Sequence, residues 1–278
     1  MNGLLVVNKP KNYTSRDVVN ALNKVFNTKA IGHIGTLDPL ATGVLVCLIG
    51  KYTKLNNLLT MHNKEYIVDF KLGILTDTLD ATGRVLDTSN NFIKKEKLVR
   101  ALKKFKKTYM QEVPMYSAVK VNGRKLYDYA RHDEEVVPPK KRVTIYDIEL
   151  LDYEYDDVKI RCTVSKGTYI RALIRDICEY LKTYGVMTGL VRTKINDFKI
   201  EDAYTLDEIR NGNYKLLSLE DFLDFKVIDL DEDNLNKIKN GNIYCDREND
   251  YILFKYLNED IALYYRINEE ELKPLIMF

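Results

Sequence analysis

The stretch from Ile31 to Gly50, IGHIGTLDPLATGVLVCLIG, limits the possible folds more than any other part of the chain. It carries four of the 13 glycines. Glycine admits positive φ and lets another backbone approach closely, so a run this rich in glycine reads as a shaped loop. Within it, Pro39 fixes its own φ and biases Asp38 toward extended backbone. The VLVCLI run after Gly43 is short and unbroken in its apolar character, which reads as a buried strand. The pattern predicts a stiff loop that presents one carboxylate at the mouth of that strand. Reactive groups are held this way on rigid scaffolds. An Asp-Pro pair among glycines is also a common turn initiator, so spacing alone leaves both readings open.

Around this loop the periodicities alternate. Gly3–Asn8 reads as a first strand, ended by Lys9-Pro10. Thr14 followed by Asp17 forms a capping box, and Val18, Val19, Leu22, Val25 and Phe26 then repeat at helical spacing. Glu65–Leu72 reads as a strand. Lys94–Tyr109 reads as a basic amphipathic helix, with eight Lys/Arg from Lys94 to Lys107 and Leu98, Leu102 and Phe105 on one face. Val158–Ser165 alternates apolar and polar residues, as a half-buried strand does. Lys166-Gly167-Thr168 then turns into a helix whose buried stripe is Ile170, Leu173, Ile174, Ile177, Cys178 and Leu181, with Gly185 as its stop. Strands interleaved with helices, several apparently paired as hairpins, point to an α+β domain. From about Val227 short strand-like runs (Tyr251–Tyr256, Ile261–Tyr265) are separated by Asn, Asp and Gly. The chain thus divides into residues 1–226 and a small β-rich unit at 227–278.

Composition narrows the function classes. The length and the 45% hydrophobic content suffice for one large core and a small one. No segment approaches the ~18 apolar residues of a membrane span. The N-terminus lacks the basic start of a secretory leader, so a cytoplasmic location is expected. The cysteines (Cys47, Cys162, Cys178, Cys245) lie far apart with no CxxC pair, which favours reduced thiols over a disulfide framework or structural zinc. The histidines (His33, His62, His132) are equally scattered, which argues against a metal cluster. The net charge of +2 hides an asymmetry: residues 227–278 hold six Lys/Arg and 12 Asp/Glu, a net of −6, which leaves +8 on the rest. A basic body suits a phosphate-rich partner. Between Pro114 and Arg142, Tyr116, Tyr127 and Tyr129 interleave with seven Lys/Arg. Such a mixture can stack on bases and hold phosphates; a plain surface hairpin is the competing reading.

The string Gly32-His33-x-Gly35-Thr36-Leu37-Asp38-Pro39-x-Ala41-Thr42-Gly43 resembles the signature of the TruB family of tRNA pseudouridine synthases, with Ile34 where the family most often has Thr. Two further stretches, PMYSAVKVNGRKLYDYAR and SKGTYIRALIRD, resemble the same family. In the first, residues 132–135 replace the more usual glycine. The resemblance covers roughly residues 2–225. It implies a pseudouridine synthase fold: a mixed, largely antiparallel sheet with flanking helices, an RNA-clamping insertion at about 114–142, and a short PUA-like unit at 227–278. It implies an isomerase acting on uridine 55 in the T-arm of tRNA, without cofactor, metal, membrane or guide RNA, as a monomer. Asp38 matches the catalytic aspartate and Arg171 the arginine paired with it. Tyr66 matches the tyrosine that stacks on the target base and is the proposed base for its C5 proton. Tyr169 and Leu190 match residues lining the uracil pocket, His33 a residue that helps wedge the base out, and Lys54 a basic residue near the RNA backbone. A free phenol titrates near pH 10, so stacking by Tyr66 is easier to defend than proton transfer. Asp77 and Asp80 are rival carboxylates, read here as a turn that shapes the sheet. Two other readings compete: a guide-RNA-dependent relative that shares the aspartate loop, and an RNA-binding protein that folds tRNA without modifying it.

Overall fold

The computed structural model describes residues 1–59 and 63–278; His62 therefore lies outside the described residues. The main elements of the larger part are, in chain order, β1 (Gly3–Lys9), α1 (Ser15–Val25), β2 (Ile31–Ile34), β3 (Thr42–Ile49), β4 (Lys64–Leu72), α2 (Lys95–Phe105), β5 (Thr108–Glu112), β6 (Lys140–Glu154), β7 (Asp157–Val164), α3 (Ile170–Leu181) and β8 (Gly185–Ile195). With a short strand at Phe198–Lys199, which pairs with β8, they build a nine-stranded sheet whose main path is β1-β3-β8-β4-β7-β6-β5. Every neighbour pair on that path is antiparallel except β3 with β8. The fold is thus α+β with a mixed, largely antiparallel sheet.

The unbroken apolar character of VLVCLI has a direct cause: β3 is covered on both faces. On one side α1 packs Val18, Val19 and Leu22 against Leu5, Val7, Leu45 and Cys47. On the other, Val44, Val46 and Leu48 share a cluster with Leu253, Leu263 and Ile276 from the C-terminal sheet. The remaining core lies where α2 and α3 cover the face of β4 and β7 that carries Val68, Phe70, Ile160 and Cys162.

The C-terminal part comprises β9 (Lys226–Asp229), α4 (Glu232–Lys239), β10 (Tyr251–Tyr256), β11 (Glu259–Arg266) and β12 (Glu271–Met277). With a short strand at Tyr244–Cys245 its strands form a five-stranded sheet, bolted to the body by polar contacts as well as by packing. The Tyr52 hydroxyl donates to Asp260 at 2.7 Å, and the Lys255 ammonium pairs with Glu220 at 2.9 Å.

Three local expectations need correction. The glycine-rich run is not loop throughout: Ile31–Ile34 pairs with β3, placing His33 opposite Cys47. The basic helix ends at Phe105, because Thr108–Glu112 pairs instead with Lys140–Thr144. The helix after Thr168 is ended by Lys182, which takes the left-handed conformation at φ 61°, and not by Gly185. Gly185 is needed for packing: a Cβ there would lie 2.3 Å from Cys178 Sγ.

Candidate active site

The aspartate loop joins β2 to β3 and is pinned by backbone bonds on both sides of Asp38. The Leu37 amide donates to Ser15 Oγ at 2.9 Å, the Ala41 amide to the Asp38 carbonyl at 3.0 Å, and the Asn12 amide to the Pro39 carbonyl at 2.8 Å. From below, the buried Lys9 ammonium donates to the carbonyls of Pro10 and Tyr13 and reaches that of Pro39 at 3.5 Å. Burial pulls the Lys9 ammonium down to about 8, against the nearby Asp38 carboxylate, which favours its charged form. Gly43, at φ 96°, is the residue that lets β8 approach. A Cβ there would sit 2.3 Å from the Arg192 carbonyl oxygen, so the parallel β3–β8 junction beside the loop requires glycine.

Asp38 itself stays accessible, with its side chain 41% exposed, while its partner does not. The Arg171 side chain is only 7% exposed, and its Nη2 lies 3.0 Å from Asp38 Oδ2. The same guanidinium lies 3.6 Å from Asp80 Oδ2 and donates to the Thr78 carbonyl at 2.9 Å and the Tyr116 carbonyl at 3.1 Å. Asp80 is fixed in turn through Oδ1, which accepts from the hydroxyls of Thr78 and Thr82 and from the Thr82 amide. A buried guanidinium held by two carbonyls and a second carboxylate is a rigid clamp that keeps an accessible carboxylate aimed.

The other expected residues fall as follows. Tyr66 (β4) and Leu190 (β8) join Leu37 and Ala41 of the loop in one buried cluster, so an apolar wall adjoins the carboxylate. Burial raises the Tyr66 phenol above its ordinary value; Arg192 opposes this by charge and hydrogen bonding, and Asp38 adds to the rise. Tyr169 precedes α3, its amide donating to Gln111 Oε1 at 2.8 Å. Burial raises its phenol, Ser117 and Arg171 oppose the rise, and Asp38 adds to it. His33 is half-buried on β2, and burial, then Arg16 and Arg192, lower its pKa and hold the ring neutral at pH 7. Lys54 is drawn elsewhere: its ammonium donates to the Met277 carbonyl of the C-terminal sheet.

Two neighbours of the site, Lys9 and Arg192, were not singled out from the sequence, and a third, Asp80, was weighed as a rival carboxylate and set aside. Asp80, read as a turn residue, is also the second carboxylate on Arg171. Lys9, read as the end of a strand, supports the aspartate loop. Arg192 is fully buried opposite Tyr66 in the β4–β8 ladder. The available signals were faint: a lysine closing an apolar strand, and an arginine within the otherwise apolar GLVR.

The fold matches chains of solved structures. "Structure of H/ACA RNP bound to a substrate RNA containing 2'-deoxyuridine" aligns with a TM-score of 0.68 over 99% of this chain and 83% of that one, at 21% identity. "Crystal Structure of a Cbf5-Nop10-Gar1 Complex" gives 0.67 over 95% and 78%, at 24% identity. At these identities the match defines the fold. The class follows from the sequence profile described as "TruB family pseudouridylate synthase (N terminal domain)", which matches residues 23–170, just over half of the chain. A protein called tRNA pseudouridine synthase B from Caldanaerobacter subterraneus subsp. tengcongensis is 40% identical, the alignment covering 100% of this chain and 99% of the relative. Its namesake from Fusobacterium nucleatum subsp. nucleatum is 47% identical over 72% of this chain and 70% of the relative. The chain belongs to the TruB family of pseudouridylate synthases.

Proposed function

We propose that this protein isomerises a uridine of tRNA to pseudouridine, that the target is uridine 55 of the T-arm, and that Asp38 acts at the ribose. The observation that carries this reading is the accessible Asp38 carboxylate clamped by a buried arginine and adjoining the apolar wall of Tyr66 and Leu190. Pseudouridine formation breaks the bond between uracil N1 and the ribose, turns the base and rejoins it through C5. Substrate and product contain the same atoms, so the reaction has no use for a redox carrier. It needs one carboxylate at the sugar, a surface that holds the freed base, and a group that removes the C5 proton. A glycoside hydrolase would instead place two carboxylates about the bond with water between. Here the second carboxylate, Asp80, is buried behind Arg171 and faces away from that duty.

The target base must leave its stack to reach Asp38. Tyr66 offers an aromatic face, and Leu190 and Tyr169 close the pocket against water. The basic, tyrosine-rich segment 114–142 serves as the clamp on the RNA, and its root is already tied to the site through the bond from Arg171 to the Tyr116 carbonyl. The protein works alone, as a monomer and without guide RNA.

Pseudouridine mapping on an unmodified tRNA transcript, with the protein alone, tests this reading. Conversion at the T-loop uridine is expected, and Asp38→Asn should slow it by roughly 10²–10⁴-fold or more. Tight binding without conversion would move the reading to an RNA-folding protein or to one that needs a guide.

A further inference from the structure

Arg192 has the largest fully buried side chain among the described residues, with 0% exposure. A guanidinium sealed from water is costly unless it is paired and bonded. Among the described residues no carboxylate lies within ion-pair distance of it. Nε donates to the Val44 carbonyl at 2.7 Å and Nη2 to the Gly35 carbonyl at 2.8 Å, while the buried Nη1 finds no acceptor of good geometry. Gly35 leaves the room this nitrogen occupies, since a Cβ there would come within 3.2 Å of it. Directly across the β4–β8 ladder stands Tyr66, register partner of Arg192 and itself 6% exposed. Cross-strand partners project on the same face of a sheet, so the guanidinium and the phenol are enclosed together.

We propose that Arg192 is the residue that positions the Tyr66 phenol and stabilises negative charge on its oxygen while the C5 proton is removed. The assignment rests on the pseudouridine reading of the site. Tyr66 gives its proton to solvent, and the phenolate oxygen then takes the proton from C5. The electron pair of the broken C–H bond restores the uracil double bond. A guanidinium with no carboxylate partner among the described residues has charge to offer a phenolate, which the two backbone carbonyls do not consume. The balance of burial and charge at Tyr66 agrees in direction, since Arg192 is what opposes the rise caused by burial. The other groups acting on this pair are Cys162 and Asp38 about Tyr66, and Lys9, His33, Lys64 and Cys47 about Arg192. All of them stay in place in the test.

The test places 3-fluorotyrosine at position 66 alone and follows its titration by fluorine NMR, in the native background and in Arg192→Gln. Loss of the charge should move the titration upward by about one to three pH units. Single-turnover conversion should fall at least tenfold, with tRNA affinity within twofold. If Arg192→Gln does not fold, Arg192→citrulline replaces it, because citrulline keeps the shape and drops the charge. A titration that stays put in either folded variant, or conversion that survives the loss of charge, overturns the assignment. The titration needs no turnover. A native protein that converts no uridine would instead count against the reading of the site as a whole.

Discussion

Arg171 lies in the first turn of α3, where a side chain normally reaches solvent, yet it is 7% exposed and touches three other segments: the Asp38 loop, the Thr78–Asp80 turn and Tyr116. Truncating it would leave Asp80 buried with its Oδ2 uncompensated and Asp38 unaimed. Breaking a buried pair in this way costs about 3–5 kcal/mol. Arg171→Ala should therefore lower stability by about that amount in denaturant unfolding. It should slow turnover at saturating tRNA more than it weakens tRNA binding; equal losses in both would show that Arg171 serves binding. Arg171→Lys should recover little, because one ammonium cannot reproduce a planar fork that serves two carboxylates and two carbonyls. At this scale the sequence was uneven. The proline and glycines around Asp38 mark it as a candidate, but they fit a plain turn as well, and the resemblance chose between the two. Arg171 follows an apolar residue in a helix and could face either way, so only the resemblance marked it. Arg192 was not legible: on a strand, an arginine between Val191 and Thr193 reads as solvent-facing, and nothing local says that both faces are covered.

The helix–strand corner from α3 into β8 shows why element types were easier to read than their ends. The buried stripe of α3 is present as expected, from Ile170 to Leu181. Its stop was assigned to the nearest glycine, but Gly185 is reserved for packing on Cys178, and Lys182 takes the left-handed turn. A non-glycine residue in that conformation is strained by about 1–2 kcal/mol. Lys182→Gly should consequently raise stability by about 1 kcal/mol, read as a higher denaturant midpoint with unchanged slope. A lower midpoint would mean that the side chain contributes more than its strain costs. The basic helix failed at its end for another reason. Its pattern continued to Tyr109, but pairing between Thr108–Glu112 and β6 outweighed local propensity, as tertiary context often does.

Across the whole molecule, the sheet closes over two lysines whose ammonium groups are poorly solvated. Lys9 and Lys64 are both buried, and burial first of all lowers each to about 8 from 10.5. The folded protein therefore releases these protons at lower pH than the unfolded chain does. Below pH 8 both states are protonated and the penalty of the buried charge is complete. Between about pH 8 and 10.5 the unfolded chain binds more protons, so stability rises with pH from these groups, by about 1–2 kcal/mol each. Buried tyrosines oppose this only at higher pH. Tyr52 and Tyr109 keep their protons beyond the ordinary phenol range because of burial, so their contribution is lost as pH rises past 10. Urea unfolding at pH 7.5 and 9.5 should accordingly show a more stable protein at the higher value. Lys9→Met should be less stable at both pH values, because the carbonyls of Pro10, Tyr13 and Pro39 lose their donor. It should also show roughly half of the native increment, the remainder coming from Lys64. An increment of equal size in the two proteins would mean that Lys9 remains charged across this range and that the aspartate loop rests on a full ammonium throughout.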